Sequence, residues 1–363
     1  VSTSELDEIR DVARDLLKHR SSPDQRHALL DAGARHDLSL WQEIVALGWA
    51  GIAVPERHGG VGLMASRLGA VMGELGRALA MTPFTSSVGC AVPTILASDN
   101  LDAIESLIPR LAAGELIATV AFDTTDLTVT TSDGQLLVSG TARFVLDADI
   151  ADVLIVGSAD APFVAVVPLS ERATVTPHGG WDPTRSLCSV RLDRVPVVPD
   201  GLLADGVSVQ ALRRTGLAFG ALSSMADAVG TAERALELAV EHAKERRQFN
   251  RPIGSFQAVK HRLADMVIAL SSSRSAVNRG FVALEQGGSA VEAAAVAKSV
   301  AGDACAAICG DAVQVHGGMG FTWEHAAHLH LKRAKLDQAM FGRPRSHRQI
   351  LTQILLDDGC AYA

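Results

Sequence analysis

The sequence predicts an α+β protein laid out as helices, then strands, then helices, and three patterns along the chain predict it. Apolar residues recur at three- and four-residue steps through residues 1–115. Between 116 and 205 they fall in short β-type runs separated by turn residues. From 206 to 363 the helical period returns over longer stretches with wide Ala-rich faces. A chain of 363 residues, 48% hydrophobic and 20% charged, is long and apolar enough to bury large cores and to divide into two or three domains.

In the first block Leu6, Ile9, Val12, Ala13, Leu16 and Leu17 mark one face of an opening helix, and Ser2 with Glu5 makes the pattern of a capping box. "RLGAVMGELGRALA" repeats the period, and the Pro/Gly-rich "PERHGGVGL" joins two helices. Residues 1–115 therefore read as an N-terminal helical domain. In the second block "LIATVAF", "LTVTT", "QLLVSG", "ADVLIVGSA", "FVAVVPL" and "CSVRLDRVPV" are strand-like, with Ser132-Asp133-Gly134 as a hairpin turn. Residues 116–205 are expected to form a middle antiparallel β domain, a barrel or sandwich. In the third, Leu222, Met225, Val229, Ala232, Leu236, Ala239 and Ala243 line one face of a helix of roughly 35 residues. Further helices at about 255–286, 289–315 and 324–357 would complete a C-terminal four-helix bundle over 206–363. The basic run "RAKLDQAMFGRPRSHRQ" breaks around Phe341-Gly342 and again at Pro344.

A net charge of -8 argues against nucleic-acid binding, since a surface that tracks phosphates needs a basic excess. The five cysteines, Cys90, Cys188, Cys305, Cys309 and Cys360, contain no CxxC pair and no zinc spacing, so no metal is expected; Cys305 and Cys309 read as buried thiols on one helix face. Acids in the opening helix exclude a secretory signal, and no run approaches the ~20 apolar residues that cross a bilayer. A cytoplasmic setting without membrane contact is the expectation.

Two motifs bear on chemistry. The plain reading of "AKERRQFNRPIGSFQAVKHRLADM" is a charged helix end, a loop and a second helix, with Phe249, Ile253, Phe256 and Val259 in the core. In "QVHGGMGF" the glycines serve either a tight turn or the close approach of a phosphate to backbone, with an arginine nearby to supply charge. In register with "WQEIVALGWAGIAVPERHGGVGL", "GELIATVAF" and "VSGTARFVLDADIADVLIVGSA", these stretches resemble the acyl-CoA dehydrogenase family over nearly the whole chain.

The resemblance implies a flavoprotein that oxidises an acyl-CoA to its 2-enoyl thioester, with a glutamate removing the α-proton and FAD taking the β-hydrogen as hydride. It also implies a dimer of dimers in which each FAD is shared across a subunit interface. Carried over residue by residue, Arg246 matches the family arginine on the pyrophosphate and Phe249 the aromatic beside it. Gln248 takes a place where a small hydroxyl residue is also found. Gln257, Gln314 and the backbone of Gly317 and Gly318 match further contacts to the ADP part.

The flavin-ring side departs from the pattern. Asp123 stands where a threonine is expected, in one of two registers one residue apart, and the aromatic-x-Ser/Thr motif reads Phe144-Val145-Leu146. Leu146 has no side-chain hydrogen-bonding group. The loop that presents the catalytic glutamate falls on Phe341-Gly342-Arg343, and the alternative helix position used by some members falls on Gly220. Neither is a carboxylate, and loss of a general base removes a factor on the order of 10² to 10⁴ in rate. Glu233, Glu237, Glu241 and Glu245 read as a salt-bridged helix face. Arg343, Arg345 and Arg348 read either as a helix end near its negative pole or as partners for acids or phosphate.

The expectation is therefore a non-catalytic subunit of an FAD-dependent acyl-CoA dehydrogenase, similar to one half of the paired actinobacterial steroid-CoA dehydrogenases. Its partner in an α2β2 tetramer would be a homologous subunit carrying the glutamate, its substrate a steroid side-chain acyl-CoA, and its electron acceptor an electron-transfer flavoprotein. Two alternatives stand beside it: a self-sufficient dehydrogenase or oxidase with its base relocated to Asp123 or Asp147, and a non-redox binding scaffold of the same fold.

Overall fold

The computed structural model describes residues 3–357, with side chains from Leu6 onward; the Ser2–Glu5 capping box and Cys360 lie outside the described residues. Helices α1 (Thr3–Arg20), α2 (Pro23–Asp31), α3 (Leu38–Ala46), α4 (Ala65–Arg77), α5 (Val92–Leu96) and α6 (Leu101–Ala112) come first. Strands β1 (Ala118–Ala121), β2 (Thr125–Ser132), β3 (Gln135–Leu146), β4 (Val153–Val156), β5 (Phe163–Pro168), β6 (Ala173–Pro177), β7 (Leu187–Pro196) and β8 (Leu202–Asp205) follow. Then come α7 (Val209–Glu245), the short strands β9 (Arg247–Gln248) and β10 (Arg251–Pro252), and α8 (Gln257–Glu285), α9 (Ala290–His316), α10 (Ala327–Ala339) and α11 (Pro344–Asp357).

Contacts gather these elements into two compact units, Val1–Ala34 with Ala65–Ala80 and Ala221–Ala363, and Arg35–Met64 with Met81–Gly220. The first unit is helical. Ala13 and Leu17 bury the inner face of α1, whereas Val12, expected on that face, is 57% exposed. Helix α2 is started by Ser22, which accepts from Gln25 N while Gln25 returns the bond, with Pro23 at the first position, where its missing N–H loses nothing. Glycines let α4 and α7 cross closely: a Cβ at Gly76 would strike the Asp227 carbonyl, and one at Gly230 the Gly73 carbonyl. Behind that crossing Arg333, fully buried, pairs with Asp227 at 3.3 Å.

The C-terminal bundle has five helices among the described residues, because the fourth expected run is interrupted. Met340 leaves helical geometry, Phe341 and Gly342 take positive φ, and Pro344 opens α11. Arg343, Arg345 and Arg348 accordingly stand before and within the first turns of α11, at a positive helix pole rather than the negative one expected. Helix α9 is apolar and long enough to pass for a membrane span by composition, but 61% of that window is buried. It packs on α8, α10 and α11. Cys305 and Cys309 are fully buried on it.

The second unit holds two four-stranded sheets, ordered β1-β4-β5-β8 and β2-β3-β7-β6. Val138, Val145, Leu154, Phe163, Val167 and Val190 from both sheets share one apolar core. The hairpin turn is Asp133-Gly134, with φ of 52° and 77° between the paired Ser132 and Gln135. Positive φ at both central residues matches strand twist, which is why Asp-Gly is favoured there. Two features differ from expectation. The β domain is not wholly antiparallel, since β1 pairs parallel with β4, Ala118 opposite Val153. And β6 and β8 are additional strands, short and at the sheet edges.

Candidate functional site

In the helical unit, α7 ends at Glu245 and the chain reverses in a hairpin with Phe249 and Asn250 at its tip, φ 52° and 63°. This turn holds Phe249 86% exposed, so it is not the core residue of the plain reading. Phe256 sits against it, ring centroids 6.1 Å apart, with the Arg251 guanidinium 4.0 Å over the Phe256 ring. The Arg246 carbonyl accepts from Ile253 N at 2.8 Å, which ties the hairpin base to the loop before Gln257, the first residue of α8.

Helix α9 delivers the second part. Gln314 is exposed in its last turn, and Gly317 ends it at φ 62°, ψ -141°, a conformation open essentially to glycine alone. Around Gly317 and Gly318 nothing lies within 4 Å of where a Cβ would be, so backbone faces open space. Side chains couple the two parts. His242, whose carbonyl accepts from Arg246 N, stacks on His316 at 4.7 Å, and His316 meets His325 at 4.3 Å. Burial, then His316, lowers the pKa of both outer rings, that of His325 to about 4. Arg262 and Asp311, 2.5 Å apart, join α8 to α9 near the same end. All seven expected ADP-side residues, Arg246, Gln248, Phe249, Gln257, Gln314, Gly317 and Gly318, are solvent-exposed. An exposed arginine, flanking aromatics and glycine backbone with free space above it fit a dinucleotide diphosphate.

In the second unit Asp123 and Leu146, expected near a flavin ring, carry no hydroxyl, and Thr124, the neighbour in the other register, is buried with its Oγ1 donating to the Ala121 carbonyl at 3.0 Å. Leu146, whose carbonyl accepts from Thr119 Oγ1 at 2.6 Å, is buried, though outside the inter-sheet core that holds Val145. Phe144 is 62% exposed with φ 57°, and His178 lies 6.1 Å away. Asp123 is exposed and paired with Arg213 at 3.3 Å, on the rim of a cavity with Thr125 and Asp126. Asp147 is buried, accepting from Ser86 Oγ at 2.6 Å beside His36, which itself bonds Asp149 at 2.9 Å. Burial raises the Asp147 pKa, partly offset by His36 and Arg185. It is a structural carboxylate and not an accessible base.

At the two expected base positions, Phe341 stands half-buried in the α10–α11 turn, its carbonyl accepting from His347 Nε2 at 3.0 Å, and Gly220 is buried within α7. Three of the four expected α7 glutamates are taken up in ion pairs, Glu233 with Arg274 at 2.9 Å, Glu237 with Arg77 and Arg234, and Glu241 with Arg234 at 3.3 Å, while Glu245 is exposed at the helix end. Arg348 pairs with Asp303 at 3.2 Å.

Family models decide the affiliation. Residues 3–115 match the acyl-CoA dehydrogenase N-terminal domain and residues 209–356 the C-terminal domain. The acyl-CoA dehydrogenase IpdE2 of Mycolicibacterium smegmatis is 31% identical over 344 residues, 94% of this chain and 96% of that protein. The chain belongs to the acyl-CoA dehydrogenase family. Among solved structures, a Tcur3481–Tcur3483 steroid ACAD variant matches with a TM-score of 0.88 at 25% identity, covering 99% of each chain. The ChsE4–ChsE5 complex of Mycobacterium tuberculosis matches with a TM-score of 0.87 at 24% identity, covering 98% of each, and shares the fold. A glutaryl-CoA dehydrogenase from Mycobacterium smegmatis in complex with FADH2 also has this acyl-CoA dehydrogenase fold, TM-score 0.88 at 18% identity, covering 98% of this chain and 95% of that one.

Sequence reasoning missed the groups that shape these turns. The imidazole stack of His242, His316 and His325 gave no spacing signal, because its members come from separate elements. Lys298 did give one, a lone cation in the Ala-rich face "AAAVAKSVAG". It is fully buried and donates to the carbonyls that precede Phe341.

Proposed function

We propose that this chain is the supporting subunit of an FAD-dependent acyl-CoA dehydrogenase that desaturates a steroid side-chain acyl-CoA in the cytoplasm. It lacks the catalytic glutamate and lends ADP-side contacts to the FAD of a homologous catalytic subunit in an α2β2 assembly, with an electron-transfer flavoprotein as acceptor. α,β-Desaturation needs a base for the α-proton and a hydride acceptor, the second of which FAD supplies when bound. In this chain Arg246 would hold the diphosphate, the Gly317-Gly318 backbone would approach it, and Phe249 would cover it.

The observation that carries the reading is an asymmetry. The Arg246 hairpin and the Gly317 turn are built and open, while Phe341, Gly220 and Leu146 offer neither base nor hydroxyl. The steroid class and the paired assembly both rest on likeness to the Tcur3481–Tcur3483 steroid ACAD variant. The test is co-expression with a glutamate-bearing homologue encoded nearby, assayed by acyl-CoA-dependent dye reduction. Activity in the mixture that is lost on replacing the homologue's glutamate, and absent from this chain alone, supports the reading. Turnover by this chain alone contradicts it and favours a self-sufficient enzyme, for which exposed Asp123 is the remaining relocated base.

A further inference from the structure

Helices α1, α2, α4, α7 and the start of α10 line a half-open cavity of about 340 Å³ in the helical unit. Five of its side chains are cationic, Arg14, Lys18, Arg26, Arg77 and Arg234, against one carboxylate, Glu74. Three of the cations are compensated. Arg14 chelates Glu74 through bonds of 3.0 and 2.7 Å, Arg77 pairs with Glu237, and Arg234 reaches Glu237 and Glu241 at 3.0 and 3.3 Å. Lys18 and Arg26 have no carboxylate partner among the described residues.

Arg26 is the unusual one. It is 4% exposed, gives one N–H to the Ala78 carbonyl at 3.0 Å, and leaves its Nε without a partner. Burial, then Arg333 and Arg234, pulls its pKa down to about 10, still leaving it charged at neutral pH. On the facing helix His330 is 2% exposed with Nδ1 also unpartnered. Two orphaned buried polar atoms thus belong to residues lining one cavity. A buried guanidinium without a counter-charge is strongly unfavourable unless an anion completes it.

We propose that this cavity is an anion site for a phosphate group, held by Arg26 and Lys18 with His330. Guanidinium, ammonium and imidazole donors on different helices suit an ion with several equivalent oxygens better than a planar carboxylate. The space exceeds one inorganic phosphate, so the group arrives either free or as a small phosphomonoester. The site involves none of the ADP-side or base-position residues and is independent of the function proposed above.

The experiment is calorimetric titration of the purified full chain with inorganic phosphate and, separately, glycerol 3-phosphate, with sodium chloride balancing ionic strength. The expected result is saturable one-site binding. Lys18→Gln, at an exposed position, would weaken it severalfold, and Arg26→Gln by roughly tenfold or more, the scale of one charge-assisted hydrogen bond. Lys335→Gln, on an exposed face outside the cavity, would leave it unchanged. Phosphate should also raise the thermal midpoint beyond the chloride control, and Lys18→Gln should shrink that rise, which keeps the test valid if Arg26→Gln folds poorly. Tighter binding of the monoester identifies the esterified form, tighter binding of phosphate the free ion. Absence of saturable binding, or binding that Lys18→Gln leaves intact, overturns the proposal.

Discussion

The ammonium of Lys298 donates to the carbonyl oxygen of Met340 across 2.7 Å, one residue before Phe341. A second bond of 2.5 Å reaches the Asp337 carbonyl, and Ser224 Oγ lies 3.3 Å away. The last carbonyls of α10, which have no intrahelical donors, are thereby satisfied by a cation at the negative helix pole. The turn that carries Phe341 is pinned from beneath although no base stands on it.

Lys298→Met should destabilise the chain by about 1–3 kcal/mol, because it leaves buried carbonyls without donors. The pH dependence separates this from simple loss of packing. Burial pulls the Lys298 pKa from 10.5 down to about 7, so between those values the unfolded chain holds a proton that the folded chain has lost. Lys298 therefore makes stability rise with pH across that window, and below it the charge is buried at full penalty. Urea unfolding at pH 6.5 to 9.5 should show a steeper rise for the natural chain than for Lys298→Met.

Phe341→Glu should leave the lone chain without dehydrogenase activity. The substitution puts a carboxylate on the turn, but Leu146, at the position where the family resemblance expects a flavin-facing hydroxyl, offers none. Acyl-CoA-dependent dye reduction checks it. Turnover in Phe341→Glu alone would mean that the flavin-ring side is intact.

Arg246→Ala in the co-purified complex should weaken flavin retention roughly ten- to a hundredfold, the scale of a charge-assisted bond to phosphate. Gly317→Ala should lower it too and also destabilise the chain by about 1–3 kcal/mol, since φ 62° with ψ -141° is strained for any side chain. Flavin absorbance per complex after gel filtration measures both.

Asp227→Asn should cost about 3–5 kcal/mol in unfolding free energy by removing the carboxylate charge paired with the buried Arg333 guanidinium. Arg333→Met with Asp227→Leu together should cost much less than either change alone, because the pair's desolvation is then removed with its attraction. A double-mutant cycle in urea tests this.

The elements that sequence reasoning anticipated are those whose signal is local. The 37-residue α7 shows as a long apolar period, and Asp133-Gly134 as a turn needing two positive φ values. The parallel pairing of β1 with β4 was not visible, because residues 118 and 153 meet only through the tertiary fold. Strand β6 does alternate, with Ala173 and Val175 against the core and Thr174 and Thr176 exposed, but it is a five-residue edge strand whose apolar members are too few to mark it. At the candidate site, the glycines and Arg246 were legible by motif. Arg26 and Arg333 were not, since a sequence does not distinguish a buried cation from a solvated one, and Lys298 showed only as a lone cation in an Ala-rich face.

The central claim is most directly tested by flavin stoichiometry and native mass, measured on this chain alone and co-expressed with a glutamate-bearing homologue. The account predicts a colourless lone chain and, in the mixture, an α2β2 species with one FAD per heterodimer. A yellow homotetramer of this chain, its flavin reduced by an acyl-CoA, would contradict it.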